Sequence, residues 1–290
     1  MKKVFMLCNA HIDPVWLWTW PEGAAEALST FRVAADFCER FDGFVFNHNE
    51  SLLYEWVEEH EPALFARIQA LVRAGKWNVM GGWYIQPDCN LPCGESITRQ
   101  IRIGREYFLK KFGVAPSTAI NFDSFGHSRG LVQIMAKAGY DSYICCRAGK
   151  KLPHGDYRWR GFDGSELKLH VSQEMYGSLK GDAANKILRI ADSNPEKSDV
   201  FALWGIGDHG GGASEPDLEA IAALAAERKD LQLIHVAAED YFKTFDKKSL
   251  PLVERSLGPV MQGCYTSMAQ IKQAHRSVEC RLSRCEKMLA

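Results

Sequence analysis

The 290-residue chain carries 35 Lys+Arg against 36 Asp+Glu, is 46% hydrophobic and contains nine cysteines. Balanced charge with no block of one sign excludes an electrostatic footprint for nucleic acid or an anionic membrane, and no segment approaches the roughly 20 apolar residues of a membrane helix. The length suits one large α/β domain or two small ones, and the partner expected from the charge is small and near neutral.

Residues 4–8 form an unbroken apolar run, which reads as a buried parallel strand ending at Asn9 or Ala10. Beyond it, His11 and Asp13 are two residues apart and leave the backbone on the same side. One nitrogen and one hard oxygen donor at a strand end make half of a divalent-metal site of the kind zinc accepts. A histidine hydrogen-bonded to a neighbouring aspartate would give the same short motif. Pro14 stops the strand, and Trp16, Trp18 and Trp20 follow, suited either to the apolar face of a sugar or to capping a core.

A helix is predicted over 21–40, then a short strand over 44–47 ending in the polar cluster Asn47, His48, Asn49 and Glu50. His48 reads better as a surface or hydrogen-bonded residue than as a ligand. Residues 52–73 read as one helix broken at Pro62, and Gly75 stops it. After a third strand at 76–80 comes a long loop with Trp83, Tyr84, Gln86, Asp88 and Asn90, and loops of that length in compact domains are usually functional. Cys89 and Cys93 in that loop have a knuckle-like spacing, but no second pair answers them.

The helix over 95–112 leads to a fourth strand at 118–122, which ends at Asp123, and His127 follows near the next helix start. A fifth strand over 140–146 ends at Arg147, and residues 157–171 alternate around Asp163-Gly164 as a β-hairpin. The strand over 200–204 ends in GIGDHGGG, where glycines let the backbone approach a ligand closely; the Lys and Ser/Thr of a phosphate loop are missing. A helix over 215–228, a strand over 232–236 and a short helix over 237–244 complete about seven alternations of strand and helix.

Polar clusters recurring at strand ends mark a parallel α/β fold with its site at the carboxyl ends, either a barrel or an open sheet. The division expected is an α/β domain over 1–246 and a different region over 247–290, with a linker and a helix over 268–290. Its apolar stripe of Ala269, Ile271, Ala274, Val278 and Leu282 suggests the start of a second domain that continues beyond it.

HIDPVWLWTW at 11–20, GGWYIQPDCNLPCGES at 81–96, INFDSFGHSRGLVQIMAKAGYDSYICCR at 120–147, GIGDHGGG at 205–212 and CYTSMAQIKQAHRSVE at 264–279 resemble, in order, the amino-terminal part of bacterial glycoside hydrolase family 38 α-mannosidases. The resemblance implies a seven-stranded parallel β/α barrel followed by the start of a helical domain. It also implies a zinc cofactor, a mannose-containing oligosaccharide substrate and hydrolysis with retention of configuration. His11 and Asp13 become zinc ligands, Asp123 both ligand and nucleophile, and Trp16 the ring that stacks on the sugar.

Asp208 is the candidate acid/base, with His209 as the alternative, since either can deliver a proton to the leaving oxygen. Asp88 and Arg147 are candidate sugar-binding residues, with an ion pair bracing the loops as the other reading, whereas Gln86, Asn90 and His127 read as supporting or structural. The family's fourth zinc ligand lies beyond the YTS segment, and His275 is no convincing substitute. The chain is therefore expected to be a fragment that binds zinc weakly and turns over poorly.

The odd cysteine count, scattered through strands and helices, together with the absence of a secretory-signal pattern at the amino terminus, fits a cytoplasmic protein with reduced thiols. A second copy of the chain is left open as a partner. Two other functions compete: a metal-dependent deacetylase or amide hydrolase using an activated water, and a non-catalytic carbohydrate-binding domain.

Overall fold

The computed structural model describes residues 1–150, 152–207 and 209–290. Among the described residues there are ten strands: β1 Lys2–Asn9, β2 Phe46–His48, β3 Trp77–Val79, β4 Thr118–Asn121, β5 Ser142–Cys145, β6 Gly155–Arg160, β7 Glu166–Val171, β8 Asp199–Trp204, β9 Leu231–His235 and β10 Leu252–Val253. They form two five-stranded sheets. In the first, β3, β2, β1 and β8 lie side by side and all pairings are parallel, with β9 also paired to β1. β8 runs along one edge of β1 from Lys3 to Cys8, so the other edge is shared: β9 takes Lys2 to Met6 and β2 takes Cys8 and Asn9.

The second sheet has the order β10-β6-β7-β5-β4, parallel except for the β6–β7 hairpin. That hairpin turns where the Asp163-Gly164 signal predicts, with Gly164 at φ 86°. Its β7 edge joins β5 and its β6 edge is filled by β10.

The period-2 alternation of β1 decides where its side chains go. Val4, Met6 and Cys8 pack outward under helices Trp20–Arg40 and Ala183–Asp192. Phe5 and Leu7 point the other way and meet Ile120 of β4, Ile144 of β5, and Phe201 and Leu203 of β8. Both sheets thus contribute to one interior, which Tyr241 and Phe242 help to fill.

The strand pairing does not give the closed seven-stranded barrel expected from the resemblance. Among the described residues the ladder is interrupted between β3 and β4, where Gly81 N–H donates to the Thr118 carbonyl at 3.1 Å, and between β7 and β8. The physical reason at the second gap is that β6 already occupies the free edge of β7. What stands is a mixed α/β fold with parallel strands whose carboxyl ends gather at one rim.

The segment 52–73 is two helices, Ser51–His60 and Pro62–Arg73, broken at the expected proline. Val253 and Leu257 are buried in the core of the second sheet, so residues just past the expected boundary pack on the α/β body. The final helix, Ala269–Leu289, has no buried residue, and its Ile271, Val278 and Leu282 are exposed. Among the described residues no helix is long and apolar enough to cross a membrane.

Candidate active site

Six residues from four strand ends line one cavity of about 280 Å³: His11 and Asp13 after β1, Glu50 after β2, Gln86 and Asp88 after β3, and Asp123 after β4. The three residues expected to hold zinc therefore share a wall with Asp88, one of the three expected sugar-binding residues.

His11 is buried at 6% exposure, and neither of its ring nitrogens has a hydrogen-bond partner. Nε2 lies 3.3 Å from Asp13 Oδ1, an ion-pair distance without aligned hydrogen-bond direction. The ring packs on Tyr176 with centroids 4.4 Å apart. Burial disfavours the His11 cation, but the carboxylates of Asp13, Glu50 and Asp123 outweigh it and raise the pKa.

The Asp123 carboxylate is turned toward Arg147, whose Nε donates to Oδ1 at 3.0 Å and whose Nη2 donates to the same oxygen. The Arg147 guanidinium also lies over the Phe125 ring at 5.1 Å. Of the two functions expected for Arg147, the ion pair is the one seen, and its partner is the expected nucleophile. Among the described residues no three His, Cys, Asp or Glu side chains converge closely enough to grip a metal ion. His11 and Asp13 nonetheless suit a metal, because an unpartnered buried ring nitrogen beside a carboxylate is a donor pair that zinc takes.

The loop after β3 is tied to the loop after β4 from both sides. Asn121 Nδ2 and Ser124 Oγ both donate to the Pro87 carbonyl at 2.8 Å. Asp88 uses Oδ1 to accept the amides of Asn90 and Leu91, both at 2.8 Å, and so caps its own turn while lining the cavity.

Trp16 is 63% exposed and is not among the cavity-lining residues; it meets Trp18 edge-on, with centroids 5.4 Å apart. Trp18 donates from Nε1 to the Asp13 carbonyl and stacks on His209 at 3.7 Å. His209 is exposed and forms a bridge with Ile12, and Gly210 N–H donates to the His11 carbonyl at 3.1 Å, so the glycine loop is fastened beside the end of β1. Asp208 lies outside the described residues.

His48 is fully buried against Phe31, not at the surface, and burial together with the His11 charge lowers its pKa to about 3. His127 is buried with Nδ1 2.8 Å from the Tyr143 hydroxyl, a structural setting as expected.

Glu50 and Tyr176 were not singled out by the sequence. Glu50 is 3% exposed, and burial pushes its carboxyl up to about 7 against the opposing effects of the His11 charge and the Gln86 amide. Its place at a polar strand end was the available signal. Tyr176 comes from the segment after β7, and nothing in its local sequence marks it.

Strand-end carboxylates and a buried histidine thus line one cavity, and a guanidinium is paired to one of those carboxylates. The family model for the glycosyl hydrolases family 38 N-terminal domain matches residues 1–263, and the chain belongs to that family. It is 28% identical to alpha-mannosidase G of Dictyostelium discoideum over 98% of this chain and 27% of that protein. It is 30% identical to human alpha-mannosidase 2C1 over 93% of this chain and 27% of that protein. The crystal structure of an alpha-mannosidase from Enterococcus faecalis V583 has the same fold, with a TM-score of 0.78 at 20% identity over 89% of this chain and 31% of that one. The chain thus spans about a quarter of the length of these curated relatives.

Proposed function

We propose that this chain supplies the nucleophile end of a retaining, zinc-dependent α-mannosidase acting on terminal α-mannosides of oligosaccharides or glycans. The observation that carries this reading is the single cavity lined by His11, Asp13 and Asp123, with Arg147 paired to Asp123. A division into an α/β domain over 1–246 and the start of a helical domain belongs to the same reading, as does a cytoplasmic setting, supported by the odd number of cysteines.

His11, Asp13 and Asp123 would hold the zinc ion. When bound, zinc supplies a Lewis acid and a template for sugar hydroxyls. Asp123 attacks the anomeric carbon as the glycosidic C–O bond breaks, forming a glycosyl ester, while an acid donates a proton to the departing oxygen. His209, fixed by Trp18, and Asp208 next to it are the candidates for that acid. Water then cleaves the ester, the same group takes its proton, and two inversions give net retention. Arg147 steers the nucleophile by holding one oxygen of its carboxylate. Trp16 and Asp88 are the remaining candidates for sugar contact.

The test is replacement Asp123→Ala with azide supplied alongside an aryl α-mannoside. A mannosyl azide of inverted configuration supports a carboxylate nucleophile. Hydrolysis by the variant at the wild-type rate, with no azide product, would exclude Asp123 as the nucleophile, and an amide hydrolase would neither cleave the aryl mannoside nor form a mannosyl azide.

A further inference from the structure

Glu50 stands in the cavity wall at a double disadvantage. Its backbone has φ 65°, a region in which any side chain is strained. The other non-glycine residues with positive φ among those described, Met261 and Met268, are exposed, whereas Glu50 is buried. Its carboxylate is also withdrawn from water, and no lysine or arginine pairs with it among the described residues. A residue needed only for the turn would be glycine or asparagine.

The arrangement secures the loop after β3. Helix Ser51–His60 begins directly after Glu50, and its first amides donate outward: Ser51 N–H to the Trp83 carbonyl at 2.9 Å and Leu52 N–H to the Tyr84 carbonyl at 3.1 Å. The Glu50 carboxylate adds a third tie by accepting Gln86 N–H at 2.8 Å. Gln86 passes the constraint on: its Oε1 accepts Phe122 N–H at 2.6 Å and lies 3.5 Å from Asp123 N. Two hydrogen-bonded links thus join a strained carboxylate after β2 to the peptide that presents Asp123 after β4.

We propose that Glu50 is a positioning residue, held in a strained conformation so that, through Gln86, it fixes the backbone carrying Asp123. This rests on reading Asp123 as the nucleophile. Strain retained at one buried site, in contact with the segment that must be placed accurately, is the pattern expected where position matters more than stability.

The experiment uses the zinc-loaded 290-residue chain, its Glu50→Gly and Glu50→Gln variants, and Gln86→Leu as an independent cut in the same relay. Each is treated with a mannosyl fluoride carrying a second fluorine at carbon 5. Asp123 displaces the anomeric fluoride to form a glycosyl ester, counted by intact mass. Urea unfolding and hydrogen exchange at the Phe122 amide are measured on the same proteins. Glu50→Gly is expected to unfold at the same or higher urea concentration, because glycine relieves the strain. It is also expected to label about tenfold more slowly or worse and to exchange the Phe122 amide about tenfold faster. Glu50→Gln keeps an oxygen to accept Gln86 N–H and restores both values.

Labelling and Phe122 exchange at wild-type values in Glu50→Gly or Gln86→Leu would overturn the proposal, as would failure of Glu50→Gln to restore them. If the wild-type chain takes no label, the nucleophile reading falls, and exchange at Phe122 still decides whether Glu50 acts through Gln86.

Discussion

Arg147 grips Asp123 by one oxygen only: Nε and Nη2 both converge on Oδ1, and among the described residues no hydrogen bond reaches Oδ2. A fork-to-fork pair would occupy both oxygens; this one leaves the second free to face a reacting carbon or a metal. Arg147→Lys keeps the charge but loses the two-point hold, and Arg147→Met loses both. A hydrogen bond to a charged group is worth about 1.5–3 kcal/mol, so Arg147→Met should slow Asp123 labelling by roughly ten- to a hundredfold, with Arg147→Lys in between. Equal rates in all three proteins would reduce the pair to a surface brace.

Metal linkage gives a readout independent of turnover. If His11 is a ligand, zinc must stabilise the folded chain by mass action, about 2.7 kcal/mol at a hundredfold excess over the dissociation constant. Thermal unfolding with and without zinc should show an upward shift that a chelator reverses and that His11→Leu abolishes. A shift of the same size in His11→Leu would move the metal elsewhere.

Three buried histidines are expected to erode stability as the pH falls. Burial lowers His127 to about 3 and His235 to about 4, and burial with the His11 charge lowers His48 to about 3. In the unfolded chain they take up protons near 6.5. Between pH 6.5 and these folded values the unfolded state binds the extra protons, so stability is complete above 6.5 and drains away as the pH falls. The loss from pH 6.5 to 5 should be about 1–2 kcal/mol per histidine. Urea midpoints over that range test it. His235→Leu, in a pocket against Phe44 and Trp204, should lower the slope by about one proton.

Gly104 separates helix propensity from packing. In an exposed helix Gly→Ala gains about 1 kcal/mol. Here a Cβ would sit 2.3 Å from the Trp83 backbone carbon and 2.5 Å from the Gly82 carbonyl oxygen, and neither can swing aside. Overpacking should win by about 2–3 kcal/mol, read as a lower urea midpoint. Since Trp83 begins the segment tied to Glu50, Asp123 labelling should fall as well. A more stable Gly104→Ala would mean that the helix Gly94–Phe112 can move away from the loop.

Much of the site was legible because it follows from strand polarity. Apolar runs ending in His11, Glu50, Asp123 and Arg147 place those residues at one rim as soon as the strands are parallel. The open ladder was not legible, since closure depends on which edge of β7 remains free, and although the hairpin was expected, nothing in the residues says that β6 and β5 together fill both edges of β7. The function of Glu50 was hidden for a different reason: its distinction is a backbone angle, which no residue type announces. His48 misled because a histidine beside polar neighbours suggests water, whereas its neighbours in space are aromatic rings.

The pairing of β1 has a temporal side. The strand that leads to His11 and Asp13 precedes its partners by nearly two hundred residues, since Lys3 pairs with Asp199 and with Gln232. At about 5–20 residues per second, a ribosome needs roughly 10–40 s to deliver those partners. During that interval an apolar strand with open edges waits in the nascent chain, with only β2 at its tip. The strand that leads to the candidate metal ligands is thus made well before its neighbours, and until β8 and β9 emerge its open edges need shelter from other chains.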